Sequence, residues 1–105
     1  MNEHDRQIAL EFKQRLSQVT SLLDFRVFGS RARGDADEYS DMDVYIKIER
    51  LDRDTKDTIR DIAWEIGFEH LIHISPLIFT RKEVEDSPLR ASPIIESIAE
   101  EGVGV

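Results

Sequence analysis

An alternation of apolar and polar residues over Asp41–Ile48 constrains the fold of this chain more than any other stretch. The apolar side chains occupy the even positions, which are Met42, Val44, Ile46 and Ile48. The odd positions carry polar groups, and the first two of these are Asp41 and Asp43. Successive side chains of a β-strand point to opposite faces, so the pattern predicts a strand with one buried face and two carboxylates together on the other.

A second apolar run, Phe25–Phe28, comes before this strand and leads directly into Gly29-Ser30. Glycine permits tight turns and close backbone approach. We therefore predict a first strand over 25–28, a turn at the glycine, and an acidic connecting loop over 34–40. Ser30 is expected to cap a short helix over 31–33.

The predicted turn and the two acidic residues suggest a site for a phosphate and a metal ion. Two carboxylates directed at one point repel each other unless a positive charge lies between them, and hard oxygen ligands suit Mg²⁺. Free N–H groups at a helix start, the Ser30 hydroxyl and the guanidinium groups of Arg31 and Arg33 are suited to a phosphate. For the two arginines, the alternative is that they only balance the acidic loop.

The spacing of these groups resembles a known signature. Gly29-Ser30, ten intervening residues and Asp41-x-Asp43 match the pattern of the DNA polymerase β-like nucleotidyltransferase superfamily, and the GSRARG turn in a short chain is similar to its minimal branch. The resemblance implies a two-layer α/β (α+β) fold, with a small mixed or antiparallel sheet and helices packed on one face.

The same resemblance implies a set of site residues. Asp41 and Asp43 would be catalytic residues and ligands of Mg²⁺ or Mn²⁺, and Ser30 would be a third catalytic residue. ATP would be the substrate. Its nucleotide-binding residues would be Gly29, Ser30, Arg31 and Arg33.

The resemblance also implies a partner. Minimal members of the superfamily are commonly encoded beside a HEPN-domain protein as a toxin–antitoxin pair, and they transfer AMP to the partner, commonly to a tyrosine, which silences its RNase activity. Two other interpretations stay open. The chain could neutralise such a partner by binding alone, without chemistry, or it could be a small α/β domain with an accidental match.

One position departs from the family pattern. The residues Leu71–Phe79 predict a third strand, and its Ile74-Ser75-Pro76 segment resembles the family strand that carries a third carboxylate. The matching position here is His73, whose imidazole could ligate a metal ion but suits Mn²⁺ better than Mg²⁺. The alternative is a strand histidine without metal. Glu69 could supply the missing acid only if the strand register differs.

Composition limits the remaining possibilities. The 105 residues predict a single domain over 1–105, and the net charge of −8 argues against direct nucleic-acid binding while it permits a basic protein partner. The chain has no cysteine, no apolar run of membrane-spanning length and no recognisable signal peptide, so a cytoplasmic location is expected. The exposed nucleotide side of so small a domain predicts an oligomer or a heteromer.

Apolar periodicity predicts three helices. They cover residues 2–23, residues 52–66 with Gly67 as the stop, and a final helix that begins at Ser92-Pro93 and ends near Gly102. A helical turn is expected at Lys82–Glu85, and the residues after Gly102 are expected to be loose or to cover a partner.

Overall fold

A four-stranded mixed sheet organises the structure, which is a computed structural model that describes all residues from 1 to 105. The strands are β1 (Leu22–Phe28), β2 (Met42–Ile48), β3 (Ile74–Thr80) and β4 (Val103–Gly104). Their spatial order is β3-β2-β1-β4. β1 runs antiparallel to both of its neighbours, whereas β2 and β3 are parallel, as a helical crossover between them requires.

Five helices connect and flank the strands. They are α1 (Glu3–Val19), α2 (Gly29–Arg33), α3 (Arg53–His70), α4 (Arg81–Asp86) and α5 (Pro93–Glu101), with a 3₁₀ turn at Pro88–Ala91. α1 begins at an Asn2 cap, whose side chain accepts a hydrogen bond from the Asp5 backbone N–H at 2.7 Å, and Asp52 caps α3 in the same way. None of the helices combines the length and apolar character that crossing a bilayer requires.

The core lies between one face of the sheet and the two long helices. All four apolar even positions of β2 are fully buried there, which confirms the period-two interpretation of that strand. α1 and α3 pack against this face with their apolar stripes. The buried helical side chains are Ile8, Ala9, Phe12, Leu16, Ile59, Ile62, Ala63 and Ile66. The predicted fold class, a two-layer α/β (α+β) fold with a small mixed sheet, is therefore confirmed, and both long helices pack on one face of that sheet.

The C-terminal segment reaches the opposite face of the sheet. Lys47 points to that face, and its ammonium group lies 3.1 Å from the Glu85 carboxylate on α4. Tyr45, also on that face, is only 4% exposed, and its ring lies 5.9 Å from that of Phe79. This face is thus covered at the far end of β2, while the Asp41 end stays accessible.

Three predicted boundaries are wrong. α1 ends at Val19 rather than residue 23, because Leu22 already pairs with Ile48 in the sheet. α3 continues through Gly67 to His70 and ends where Leu71 adopts a left-handed conformation, with φ at 57°. β3 then begins at Ile74, three residues later than predicted.

The C-terminus is ordered by pairing rather than loose. Val103 and Gly104 pair antiparallel with Val27 and Arg26, so β4 covers the outer edge of β1. The preceding helix begins at Pro93 and ends at Glu101, as its cap signals predicted. The expected turn at Lys82–Glu85 is a complete helix with a Thr80–Glu83 capping box.

Candidate active site

The turn between β1 and α2 approaches the second acidic residue closely. Gly29 has φ at +75°, and a Cβ atom added there would lie 2.5 Å from the Asp43 carboxylate oxygen Oδ2. No other residue could occupy this position without a shift of either the turn or the carboxylate. The glycine therefore brings the backbone of the turn against the acid, as the sequence spacing suggested.

The two carboxylates lie at the start of β2 on the face opposite the core. Asp41 directly precedes the strand and is exposed, whereas Asp43 lies within it and is half-buried. Asp43 sits between Phe28 of β1 and Ser75 of β3 in the strand register. Both neighbouring strands thus contribute to the surroundings of this one carboxylate.

Asp43 lies in an environment that disfavours its ionised form. Desolvation by burial raises the pKa of Asp43 above its ordinary value, and the neighbouring Asp41 carboxylate raises this pKa further. Arg33 and His73 lower the pKa, but by less than the two opposing effects. The carboxylate pair therefore retains repulsion that a bound cation would relieve.

His73 joins the two acids from the neighbouring strand. Its Nδ1 atom lies 3.4 Å from Oδ1 of Asp41, and its carbonyl oxygen accepts a hydrogen bond of 2.9 Å from the Met42 backbone N–H. The parallel register begins one residue later, at the pair Met42 and Ile74, so His73 is held beside Asp41. The position that resembles the third carboxylate of the family is at the site and carries an imidazole.

The register does not bring Glu69 to this site. Glu69 lies near the end of α3, where its carboxylate groups with Glu11 and His70, and the ligand atoms of the three residues lie within 4.8 Å of one another. His70 Nε2 lies 3.1 Å from the Glu11 carboxylate, an ion pair across the contact of α1 and α3 when the imidazole is protonated. Glu69 is therefore not the missing third acid.

Ser75 is a site residue that sequence reasoning did not single out. It pairs directly with Asp43 across the parallel strands, two residues after His73 and on the same face. Its hydroxyl therefore faces the same cleft as the two acids. The Ile74-Ser75-Pro76 segment contains this serine, but only the strand register shows that it is paired with Asp43.

Arg31, which was predicted to contact the nucleotide, is engaged in contacts within the protein. Its side chain is buried, with Nη1 2.8 Å from the Asp5 carboxylate on α1 and Nε donating a 2.9 Å hydrogen bond to the Ser40 carbonyl. A guanidinium engaged on both sides in this way anchors the acidic loop to α1. The predicted contact of Arg31 with a nucleotide stays a prediction, and the contacts that the structure shows for this side chain are with Asp5 and Ser40.

Arg33 remains available to a ligand. It is about half exposed, makes surface ion pairs with Asp35 at 3.3 Å and Glu101 at 3.6 Å, and acts electrostatically on Asp43. Ser30 differs from its predicted role as a cap. α2 begins one residue earlier, at Gly29, and no side-chain hydrogen bond caps it.

The chemistry of these groups suits a divalent cation. The donors are two carboxylates in mutual repulsion and one imidazole nitrogen, and the repulsion is relieved when a cation binds between them. Asp41 and Asp43 are oxygen ligands of the kind that Mg²⁺ prefers, and His73 would favour Mn²⁺. The preference between Mg²⁺ and Mn²⁺ therefore depends on whether the imidazole nitrogen of His73 is a ligand.

Comparison with known proteins identifies the fold and the family. The nucleotidyltransferase domain family matches residues 5–104 of the chain. Two proteins of Methanocaldococcus jannaschii, whose names assign them provisionally to the protein adenylyltransferases, are 34% identical over 79 residues and 38% identical over 78 residues. The matches cover 70% and 71% of this chain, with 54% of the first relative and 79% of the second. The chain thus spans about half the length of the first relative.

Solved structures share the same architecture. A minimal nucleotidyltransferase structure, itself named provisionally, superimposes with a TM-score of 0.60 at 20% identity, covering 97% of this chain and 90% of that one. A toxin–antitoxin crystal structure with AMP-PNP gives a TM-score of 0.60 at 15% identity, covering 90% of this chain and 69% of that one. These likenesses show the fold, and the family match over residues 5–104 shows that the chain belongs to the nucleotidyltransferase domain family.

Proposed function

We propose that this chain is an antitoxin that transfers AMP from ATP to a hydroxyl group, in particular a tyrosine, of a HEPN-domain toxin. The observation that carries the proposal is Asp43 held against the Gly29 turn, with the Asp41 carboxylate close enough to raise its pKa, within a nucleotidyltransferase domain. The names of the two curated relatives and the toxin–antitoxin complex among the structural neighbours support the choice of a protein acceptor.

The turn after β1 would hold the triphosphate. The backbone of Gly29 lies beside Asp43, and together with the hydroxyl of the next residue, Ser30, it would donate to the β- and γ-phosphates. Arg33 would add a charge-assisted contact from the end of α2. The side chain of Arg31 keeps this turn in place through Asp5 rather than binding the nucleotide itself.

Asp41 and Asp43 would hold the divalent cation, with His73 as a third donor. When bound, such an ion neutralises charge that accumulates on the triphosphate during transfer. A bound cation would attract the ionised carboxylates, and it would thereby offset both the repulsion between Asp41 and Asp43 and the burial that raises the pKa of Asp43.

The transfer itself exchanges one phosphorus–oxygen bond for another. The acceptor hydroxyl attacks the α-phosphorus of ATP in line, the new bond forms to AMP, and the bond to pyrophosphate breaks on the opposite side. The hydroxyl proton has two acceptors in this site, the Asp43 carboxylate and the His73 imidazole. Both remain candidates for the general base.

The overall charge supports a protein partner over nucleic acid. Proteins that bind nucleic acid commonly carry an excess of basic residues that pair with the phosphate backbone, whereas this chain has a net charge of −8. A basic toxin surface would be attracted to the same charge. The specific identification of the toxin as a HEPN-domain protein rests on the resemblance in sequence to the minimal branch.

Intact mass spectrometry tests the proposal. A HEPN-domain partner is incubated with this chain, ATP and Mg²⁺ or Mn²⁺, and a mass increase by whole AMP units is expected. Asp43→Asn should abolish the increase while the protein stays folded, and Asp57→Asn, an exposed acid on α3, should retain it. Equal labelling by Asp43→Asn and the unaltered chain would reject the assigned metal site.

A second candidate function follows from His73. If the imidazole disables transfer, the chain would instead neutralise its partner by forming a stoichiometric complex without ATP or metal. His73→Asp restores the acid that the family pattern carries and should raise the initial rate of labelling under the first hypothesis. A stable, inhibitory complex with no labelling by either protein would favour the second candidate.

A further inference from the structure

An exposed apolar groove opens beside the proposed catalytic site. It has a volume of about 680 Å³ and lies between the loop at residues 38–40, the outer face of α3 and the chain that leads into β3. We call it the aromatic groove, and its principal apolar residues are Tyr39, Trp64, Phe68 and Leu71. The volume lies within the range of ordinary ligand sites.

The aromatic side chains in this groove are unusually exposed. Trp64 is 68% exposed and Phe68 69% exposed, and their rings stack with centroids 5.3 Å apart and planes inclined by 13°. Both residues lie outside the apolar stripe with which α3 packs on the sheet. Large rigid rings held at a surface are typical of sites that anchor a binding partner, and they do not contribute to this core.

The groove is continuous with the catalytic site through β3. His73 and Ser75 line its inner end, and these same residues flank Asp41 and Asp43. The opposite side of the acids is occupied by the Gly29 turn after β1. The carboxylates on β2 therefore separate the proposed triphosphate side from the groove.

In-line chemistry assigns the two sides to different reactants. If the leaving pyrophosphate is bound toward the turn after β1, the attacking hydroxyl must approach the α-phosphorus from the opposite direction. Since β2 lies between β1 and β3, that direction is the β3 side of the site, where the groove ends. A group that lies in the groove is thus on the path of the acceptor.

Charge indicates what kind of acceptor fits. One arginine and one glutamate, Arg60 and Glu38, line the groove, so their charges balance. The two catalytic acids lie next to its His73 and Ser75, and the whole chain carries a net charge of −8. A polypeptide segment with an apolar anchor would match the exposed rings of the groove, and basic residues beside that anchor would match the negative charge of the chain. A nucleic acid would be repelled by the same charge.

We propose that the aromatic groove docks the acceptor: a polypeptide segment that presents a tyrosine between apolar and basic residues, with the tyrosine hydroxyl directed past His73. The inference rests on the proposed function, since that function places the triphosphate at the Gly29 turn, on the other side of the two acids from the groove. It adds a substrate-docking surface formed by Trp64, Phe68 and Leu71 of this chain.

The single tryptophan makes docking measurable without catalysis. Trp64 fluorescence is followed while a synthetic peptide with a central tyrosine flanked by leucine and arginine is added, without ATP or metal. Saturable quenching is expected, together with weaker binding of a peptide in which glutamate replaces arginine. Because this titration contains neither ATP nor metal, docking is measured even if transfer fails.

A matched pair of variants locates the contact. Phe68→Ala removes the ring stacked on Trp64 and should weaken peptide binding roughly three- to tenfold. Ile94→Ala truncates an exposed apolar side chain on α5, away from the groove, and should leave the affinity unchanged. If a labelled acceptor is in hand, Phe68→Ala should raise the KM for this acceptor and leave the KM for ATP unaltered.

Three outcomes would overturn the docking proposal and leave the proposed function standing. Quenching of Trp64 by ATP with metal, with Phe68→Ala raising the KM for ATP, would make the groove a base-binding site. If Trp64 fluorescence changed with protein concentration and not with added peptide, the groove would be a contact between copies of this chain. Equal affinity of the two peptides, unaffected by Phe68→Ala, would mean that the groove does not select an acceptor. Loss of AMP transfer with intact peptide docking would instead reject the proposed function.

Discussion

Arg31 and Arg33 lie on the same short helix, yet their surroundings give them different roles. Arg31 is buried against Asp5 and the Ser40 carbonyl, while Arg33 is half exposed beside Asp43. The sequence could not separate them, because the Asp5 partner lies 26 residues away on another helix. Tertiary contact rather than local pattern determines which arginine is free for a ligand.

Matched substitutions should separate these roles. Arg31→Met leaves the buried Asp5 carboxylate without its partner and should lower the free energy of unfolding by about 3–5 kcal/mol, measured by urea denaturation. Arg33→Met should change it by less than about 0.5 kcal/mol. If Arg33 contacts the triphosphate as proposed, Arg33→Met should also lower kcat/KM for AMP transfer roughly ten- to a hundredfold. Comparable stability losses in both variants would contradict this division.

Asp43→Asn should raise the melting temperature of the metal-free protein at neutral pH, because it removes a carboxylate that burial and Asp41 disfavour in its ionised form. Since the pKa is raised in the folded state, the cost of ionisation is present above that pKa and is relieved as the pH falls through it. The difference in melting temperature should therefore shrink in acid.

Metal ions supply the control for this substitution. Mg²⁺ or Mn²⁺ should raise the melting temperature of the unaltered chain, because binding to the folded state alone stabilises it. The same ions should have no effect on Asp43→Asn, whereas Asp57→Asn should respond like the unaltered chain. A metal-induced increase of equal size in Asp43→Asn would show that the ions stabilise the protein from another site.

At the scale of secondary structure, Gly67 acts within a helix rather than at its end. A Cβ atom on this residue would lie 2.5 Å from the Ile72 carbonyl oxygen, on the chain that returns toward β3. The glycine therefore permits a close approach of helix and backbone. The prediction of a helix stop failed because glycine serves both purposes, and only the fold distinguishes them.

Gly67→Ala should consequently destabilise the protein although alanine favours helices. Overpacking against a backbone carbonyl is expected to cost about 1–3 kcal/mol of unfolding free energy, measured by urea denaturation. Asp61→Ala, at an exposed position of the same helix, controls for the change in helix propensity and should be neutral or slightly stabilising. A stabilised Gly67→Ala protein would mean that the backbone near Ile72 yields easily.

The elements that the sequence predicted best are those with a clear apolar periodicity or with a helix-capping signal nearby in the chain. The alternation of β2 and the Ser92-Pro93 start of α5 are local signals, and the structure agrees with both. The early start of β1 at Leu22 and the existence of β4 depend on pairing with distant strands. A two-residue strand such as Val103–Gly104 is too short to show an alternation of apolar and polar residues, so its pairing could not be predicted from the sequence.

For the whole molecule, net charge is the property that bears most directly on association. A chain with a charge of −8 should bind a basic partner with an association rate that falls steeply with ionic strength, because long-range attraction is screened by salt. The dissociation rate should change much less. Stopped-flow measurements of Trp64 fluorescence over a range of salt concentrations test this, and an association rate insensitive to salt would exclude electrostatic steering.

The candidate site was only partly accessible to sequence reasoning. The glycine turn and the Asp41 and Asp43 pair lie close together in the chain, and their spacing identified them as neighbours. His73 was placed by resemblance, and its distance to Asp41 is fixed by the parallel register. Ser75 and the aromatic groove required the fold, because they bring the loop at residues 38–40, α3 and β3 to one place.

The parallel pairing of β2 with β3 also has a consequence for the time course of folding. The turn and both aspartates belong to one local antiparallel unit, which can form early because it closes a short loop. His73 arrives only after α3 has crossed the sheet and docked, a contact between distant parts of the chain. A newly synthesised molecule would therefore possess its carboxylate pair before its imidazole, and full competence would wait for the slowest pairing in the sheet.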